Sequence, residues 1–242
     1  MTQIFAHRGS SGTHPENTMA AFIEAERVKA DGIEFDVQMT KDKEVVVIHD
    51  ERVDRTTNGR GWVKDFTLKE LKKLNTGSTK IRSEKIPTLK EVLGWAKGNP
   101  LLINIELKTG LIQYPNLEER VVEMVNHYGL KDKVILSSFN HYSVERVHKL
   151  DPGLETAILF MEGLFEPWKY AKSIGASGLH CHWRTVTEEF VDGAKKANMA
   201  LRPFTINRRS HIRKFLESGC SGIFTDYPER AIQIRDKGGI KH

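Results

Sequence analysis

The sequence predicts an α/β chain folded as a TIM, or (β/α)8, barrel, and three observations carry that expectation. The length of 242 residues suits one large domain, and barrels of this class commonly run to about 200–250 residues. Short β-type runs alternate with helical patterns from one end of the chain to the other, giving eight strand–helix pairs. The first strand is not followed by the G-x-G-x-x-G turn of a doubly wound dinucleotide-binding sheet.

In order, strands are expected at Gln3–His7, Gly32–Val37, Leu101–Leu107, Lys133–Ser137, Glu155–Leu159, Gly178–Leu179, Ala200–Thr205 and Gly222–Thr225. Each is rich in Val, Ile, Leu or Phe and bounded by Gly, Pro or polar residues. Helices are expected at Thr18–Ala30, Leu89–Lys97, Asn116–Tyr128, His141–Lys149, Pro167–Ile174, Glu188–Ala197, Arg209–Glu217 and Tyr227–Lys237. Thr67-x-x-Glu70 and Thr88-x-x-Glu91 read as capping boxes, in which hydroxyl and carboxylate satisfy the free N–H groups of a first turn. Gly129 stands where a helix C-terminus releases its chain.

One connection breaks the spacing. About 50 residues separate the second strand from the Leu89 helix, against the usual 2–6 for such loops. Glu44–Ile48 is read as a continuation of the second strand, beyond a Lys41-Asp42-Lys43 turn. The stretch from Asp50 to Pro87 carries turn signals and a short helix at Leu68–Leu74. Long loops after barrel strands lie on the active-site face, so a small insertion or cap at about 50–87 is expected within a single domain at 1–242.

Composition narrows the class. No run approaches the ~20 apolar residues of a membrane span, so no stable membrane insertion is expected. Two cysteines, Cys181 and Cys220, do not make a disulfide framework. With no basic-then-apolar leader, a cytoplasmic location is expected. The net charge of +5 comes from scattered pairs such as Lys72-Lys73 and Arg208-Arg209, so no nucleic-acid partner is expected.

Strands of a parallel barrel are buried on both faces and should be nearly all apolar. Two are not. In Ile33-Glu34-Phe35-Asp36-Val37 the period of 2 puts both carboxylates on one face. With the apolar set against the helices, Glu34 and Asp36 point into the barrel mouth. The same alternation turns Asn104, Glu106 and Lys108 inward. Three converging carboxylates repel one another and lose hydration. A divalent cation relieves both costs, and all-oxygen ligation selects Mg2+ or Ca2+ over zinc; the plainer reading is salt bridging to Lys108. His7 ends the first strand and His49 follows the second, where imidazoles can divide acid and base roles. Arg8 and Lys108 offer positive charge to a phosphate.

The order of these residues resembles the glycerophosphodiester phosphodiesterase family. The resemblance rests on His7-Arg8-Gly9, Pro15-Glu16-Asn17-Thr18, Glu34-Phe35-Asp36-Val37, His49-Asp50 and Asp54-Arg55-Thr56-Thr57. It continues through Ile86-Pro87-Thr88-Leu89-x-Glu91, Asn104-Ile105-Glu106-Leu107-Lys108, Thr205-Ile206-Asn207 and Thr225-Asp226-Tyr227-Pro228. It implies a TIM barrel with an insertion after the second strand. It also implies metal-dependent hydrolysis of a small-molecule glycerophosphodiester to sn-glycerol 3-phosphate and an alcohol. Carried over by position, His7 and His49 match the catalytic pair, Glu34, Asp36 and Glu106 the metal ligands, and Arg8 and Lys108 the phosphate contacts. Phe204 stands where the family commonly carries Trp, which keeps an aromatic wall and loses an N–H donor. His180-Cys181-His182-Trp183 is unusual; it either lines the mouth or packs, and no second Cys/His cluster completes a zinc site. A phospholipase-type relative acting on lysophospholipids is the alternative, and it requires an apolar groove beside the histidines. A non-catalytic anion-binding protein leaves the inward carboxylates unexplained.

Overall fold

The computed structural model describes residues 1–77 and 84–237. Eight parallel strands form a nearly closed barrel, with helices following them around the outside. In chain order the elements begin β1 Gln3–His7, α1 Met19–Arg27, β2 Gly32–Met39, β3 Val45–Val47, α2 Leu68–Leu71 and α3 Leu89–Ala96. They continue β4 Leu102–Leu107, α4 Leu117–Tyr128, β5 Val134–Ser138, α5 His141–Leu150, β6 Glu155–Phe160 and α6 Pro167–Ser173. The last are β7 Gly178–Cys181, α7 Glu188–Lys196, β8 Ala200–Leu201, α8 Arg209–Glu217, β9 Gly222–Thr225 and α9 Pro228–Lys237.

Around the barrel the strands run β8-β7-β6-β5-β4-β2-β1-β9. The seam between β8 and β9 is bridged by three backbone bonds: Ser221 N–H to Leu201 O at 2.9 Å, Phe224 N–H to Pro203 O at 3.0 Å and Ile206 N–H to Phe224 O at 2.8 Å. The seventh barrel strand is regular only to Leu201 rather than Thr205: Phe204 still bridges to His182 beside β7, but Pro203 has no N–H to donate across the seam to β9. Glu44–Ile48 does not prolong β2. Its core, β3, folds back antiparallel on β2 with Val37 opposite Val47, and the Lys41–Lys43 turn, with Lys43 at φ 68°, makes a hairpin.

Most of the apolar core lies between strands and helices, where Ile33, Phe35 and Val37 of β2 pack with Phe22, Leu89 and Leu93. A smaller interior cluster of Phe5, Ile135, Ala157 and Phe224 fills the barrel itself. Below it the floor is polar: Arg202, 6% exposed, pairs with Glu155 at 2.6 Å and lies over the Phe5 ring. Gly32 leaves room there, since a Cβ at that position would stand 2.6 Å from the Phe5 ring.

The long connection builds its own cluster from Val46, Ile48, Val53, Val63, Leu71 and Ile86. Both capping boxes form: Thr67 Oγ1 and Thr88 Oγ1 accept from the Glu70 and Glu91 N–H groups, and each Glu carboxylate accepts in return. The helix expected at Leu68–Leu74 is the shorter α2. Part of the expected 50–87 insertion, residues 78–83, lies outside the described residues.

Candidate active site

The site is assembled at the C-terminal ends of β1, β2 and β4. Register sets it: His7 lies opposite Glu34, Glu34 opposite Asn104, and Asp36 opposite Glu106. The alternation read from sequence thus aims all three carboxylates at one point, with a ligand oxygen from each within 4.8 Å of the others. Glu34 and Asp36 are 4% and 1% exposed.

After β1 the chain turns sharply through Arg8 (φ 54°) and Gly9 (φ 76°). Gly9 is required there, as a Cβ would meet Ala21 at 2.6 Å. This turn directs the Arg8 backbone N–H onto Glu34 Oε2 at 2.8 Å, while the guanidinium reaches Glu16 at 2.9 Å and Asp36 at 3.6 Å. Asn17 Nδ2 donates to Asp36 Oδ2 at 2.9 Å. Lys108 donates to Glu106 Oε1 at 3.0 Å and to His49 Nε2 at 3.3 Å.

Both histidines are held from behind by a carboxylate. His7 Nδ1 lies 2.7 Å from Asp226 Oδ1, and His49 Nδ1 lies 2.6 Å from Asp50 Oδ1. A carboxylate accepts, so Nδ1 carries hydrogen in both and Nε2 faces the cavity side, bonded to Lys108 in His49. Asp226 is fixed in turn by Asn207 Nδ2 at 2.5 Å and Ser11 Oγ at 3.1 Å. Arg55 grips both Asp50 and Glu16.

Burial, with Asp36 and Glu106 beside it, pushes the Glu34 carboxyl well above the usual carboxylate range. Burial and Asp36 likewise raise Glu106. Burial also opposes ionisation of Asp36, but His49, Arg8, Lys108 and the Asn17 hydrogen bond together hold it below its ordinary value. Asp50 is drawn down to about 2, first by its Arg55 hydrogen bonds. Glu34 Oε1 and Asp36 Oδ1 are buried without a hydrogen-bond partner. Buried carboxylate oxygens carry a large desolvation cost unless paired, and an oxygen-ligated cation would supply the missing partner. The donor set therefore fits a divalent metal ion.

A cavity of about 220 Å³ opens beside this cluster, and its lining combines the polar His7, Arg8, Glu34 and His49 with the aromatic Phe139 and Phe204. Phe204 meets Phe139 edge-on, centroids 6.0 Å apart. A larger groove of about 640 Å³ lies around Glu155, Ser177 and Ser221 at the opposite end of the barrel, but it gathers no acid–base pair. Of the eight residues singled out from sequence, His7, Arg8, Glu34, His49, Glu106 and Phe204 line the smaller cavity, while Asp36 and Lys108 stand behind it, Asp36 in the carboxylate cluster and Lys108 bonded to Glu106.

The profile of the glycerophosphoryl diester phosphodiesterase family matches residues 7–230. A glycerophosphodiester phosphodiesterase of Caldanaerobacter subterraneus subsp. tengcongensis is 46% identical over 241 residues, covering 98% of this chain and 99% of that one. The chain belongs to this phosphodiesterase family. Among solved structures, an Oleispira antarctica phosphodiesterase in complex with the product sn-glycerol-3-phosphate superposes with a TM-score of 0.87. It is 30% identical and covers 98% of this chain and 97% of that one. A Silicibacter pomeroyi structure reaches a TM-score of 0.92 at 23% identity, over 100% of this chain and 95% of that one, and bears on the fold alone.

Membership makes the chain a glycerophosphodiester phosphodiesterase, a phosphoric diester hydrolase. Several groups in this phosphodiesterase's site received no role from sequence: Glu16, Asn17, Asp50, Arg55 and Asp226. Asp50 had a local signal, a carboxylate next to His49. Asp226 stood in the Thr225-Asp226-Tyr227-Pro228 motif, but nothing local paired it with His7, 219 positions away. Of the His180–Trp183 segment, His180 is fully buried on the cavity floor, edge-on to Phe224 at 4.9 Å. Burial, with Arg202 nearby, holds its imidazole well below the ordinary histidine value, so it is neutral. Cys181 points to the outer core, its thiol pushed by burial to about 12. Among the described residues the metal-capable cluster is the carboxylate trio, and no zinc set forms around Cys181.

Proposed function

We propose that this phosphodiesterase hydrolyses glycerophosphodiesters such as glycerophosphocholine or glycerophosphoethanolamine to sn-glycerol 3-phosphate and an alcohol. The reading further assigns one divalent cation, Mg2+ or Ca2+, to Glu34, Asp36 and Glu106. The observation that carries it is the convergence of two carboxylate-backed imidazoles with those three carboxylates beside one cavity. When bound, the cation supplies Lewis-acid stabilisation of charge on phosphate oxygens.

The chain's own groups do the rest. Arg8 and Lys108 face the phosphate's remaining charge, and burial by the barrel wall makes that attraction stronger than in water. Burial lowers Lys108 in isolation, but Glu106 and Asp36 outweigh it and raise its pKa, so the ammonium stays charged. One imidazole takes a proton at Nε2 from the attacking hydroxyl, and the other gives a proton to the departing alkoxide. Such roles are each worth about 10²–10⁴-fold in rate. The attacking hydroxyl belongs either to water, which gives sn-glycerol 3-phosphate directly, or to the substrate's glycerol C2, which gives a cyclic phosphate that water then opens in a second step. Phe204 and Phe139 are the aromatic part of the cavity lining. A single domain capped by residues 50–87, acting in the cytoplasm, completes the proposal; no helix among the described residues is long and apolar enough to cross a membrane.

The test is release of sn-glycerol 3-phosphate from a panel of glycerophosphodiesters with added Mg2+, Ca2+ or Mn2+. His7→Ala and His49→Ala should each lower turnover at least about 10²-fold with the fold intact. Near-wild-type rates in both variants would falsify the acid–base assignment. A second reading, action on lysophospholipids, is favoured by one observation. Leu111, Phe139, Met161 and Phe165, on the connections after β4, β5 and β6, are 68%, 43%, 48% and 91% exposed. Faster release from lysophosphatidylcholine than from glycerophosphocholine would select it.

A further inference from the structure

Arg55 lies on the long connection after β3, outside the cavity, yet its guanidinium ties together two parts of the site. Nε donates to Asp50 Oδ2 at 2.7 Å and Nη2 to Asp50 Oδ1 at 3.0 Å. Nη1 donates to Glu16 Oε2 at 2.7 Å and Nη2 to Glu16 Oε1 at 2.8 Å. Both carboxylates are therefore held two-point by one planar group. Each also holds a residue at the cavity: Asp50 Oδ1 accepts from His49 Nδ1 at 2.6 Å, and Glu16 Oε1 accepts from Arg8 Nη1 at 2.9 Å.

The result is a continuous chain, Arg8–Glu16–Arg55–Asp50–His49, joining the loop after β1 to the segment after β3. Outside this chain, the two loops follow different strands and are tied separately to the barrel, Arg8 through its N–H to Glu34 and His49 through its carbonyl to Gln38. We propose that Arg55 is a positioning residue that sets His49 and Arg8 at a fixed separation. The inference rests on the proposed roles of those two residues, one in proton transfer and one on the phosphate.

The chemistry explains why arginine stands there. A guanidinium presents its donors in a rigid fork matching two carboxylates in one plane, whereas a lysine ammonium is a single point on a flexible stem. With its side chain about half exposed, solvent screening limits what Arg55 adds to stability as an ion pair to about 1 kcal/mol. Its effect is geometric, and misplacing a reacting group by about 1 Å can cost on the order of 10²-fold.

The experiment measures kcat and KM for glycerophosphocholine with saturating divalent cation, in the full-length chain. Arg55→Met and Arg55→Lys should both lose about 30-fold or more in kcat/KM, with kcat falling and KM rising, and with the melting midpoint lowered by a few degrees at most. Asp50→Asn should fall mainly in kcat and Glu16→Gln should rise mainly in KM. In an Asp50→Ala/Glu16→Ala background, Arg55→Met should then add less than about threefold, because the acceptors it held are gone. Added guanidinium ion should restore part of the activity of Arg55→Ala. Wild-type constants in Arg55→Met, full activity in Arg55→Lys, or losses that multiply in the triple variant would each overturn the proposal. An inactive wild type on every glycerophosphodiester would instead refute the proposed function, so the two failures are separable.

Discussion

Asp226 offers the sharpest test of how the site is built. Its Oδ1 lies 2.7 Å from His7 Nδ1, and its side chain is 27% exposed. Burial works against its charge, but the His7 bond, with help from Asn207 and Ser11, keeps the carboxyl below the usual range, so it is anionic at neutral pH. A hydrogen bond with a charged partner contributes about 1.5–3 kcal/mol. Partial exposure argues for the lower half of that range, about 1.5–2 kcal/mol. If this energy orients and stabilises the protonated imidazole in the transition state, Asp226→Ala should lower kcat by about 10–30-fold, at 1.36 kcal/mol per decade. Asp226→Asn removes the charge and sets an amide NH2 against either His7 Nδ1 or the Asn207 donor, so its loss should be at least as large. Turnover is followed by sn-glycerol 3-phosphate release between pH 6 and 9, with and without His7→Ala. In the His7→Ala background the Asp226→Ala change should cost almost nothing more. A loss below threefold in the single variant, or an undiminished loss in the double one, would show that the dyad does not act as described.

Other outcomes follow from burial and charge. Glu34 and Glu106 have raised folded pKa values; such groups favour the fold while protonated, and that contribution is lost as pH rises through the folded values. A cation should therefore raise the melting midpoint more at pH 7.5 than at pH 5, where protons compete for the same oxygens. At 100 Kd the gain is about 2.7 kcal/mol, or roughly 5–11 °C for a chain of this size. Equal shifts at both pH values, or an undiminished shift in Glu34→Gln, would contradict the ligand set. On the barrel floor, Glu155→Gln leaves the buried Arg202 charge without its partner and should cost about 3 kcal/mol in urea unfolding, near the low end for buried pairs because Glu155 is 35% exposed. A cost under about 1 kcal/mol would mean that water reaches Arg202.

Much of this was legible in the chain because barrel strands obey a strict local code. In β2 and β4 the period of 2 separates Glu34, Asp36 and Glu106 from their apolar neighbours, and that separation survives folding unchanged. Capping boxes are equally local, and both form. What sequence hid was either direction or distance. Nothing in Glu44–Ile48 says whether a second extended run prolongs the first or reverses onto it, and the Lys43 turn decides. The end of the seventh strand depends on Pro203 and its partner across the seam, not on the apolar run. Asp226 and Arg55 fall in recognised motifs but carried no role from sequence, since only closure of the barrel brings Asp226 to His7 and only folding of the insertion brings Arg55 to Asp50 and Glu16.

The floor of the barrel also governs traffic. Arg202, Glu155 and Phe5 fill the end away from the catalytic groups, so a molecule that enters by the mouth must leave by it. On the proposed reading, the half that retains phosphate stays gripped by Arg8 and Lys108 after the alcohol has gone. That half departs second and contends with the next substrate for the empty enzyme, while the freed alcohol does not. A filled interior, sealed beneath by one ion pair, thus makes the site a cul-de-sac.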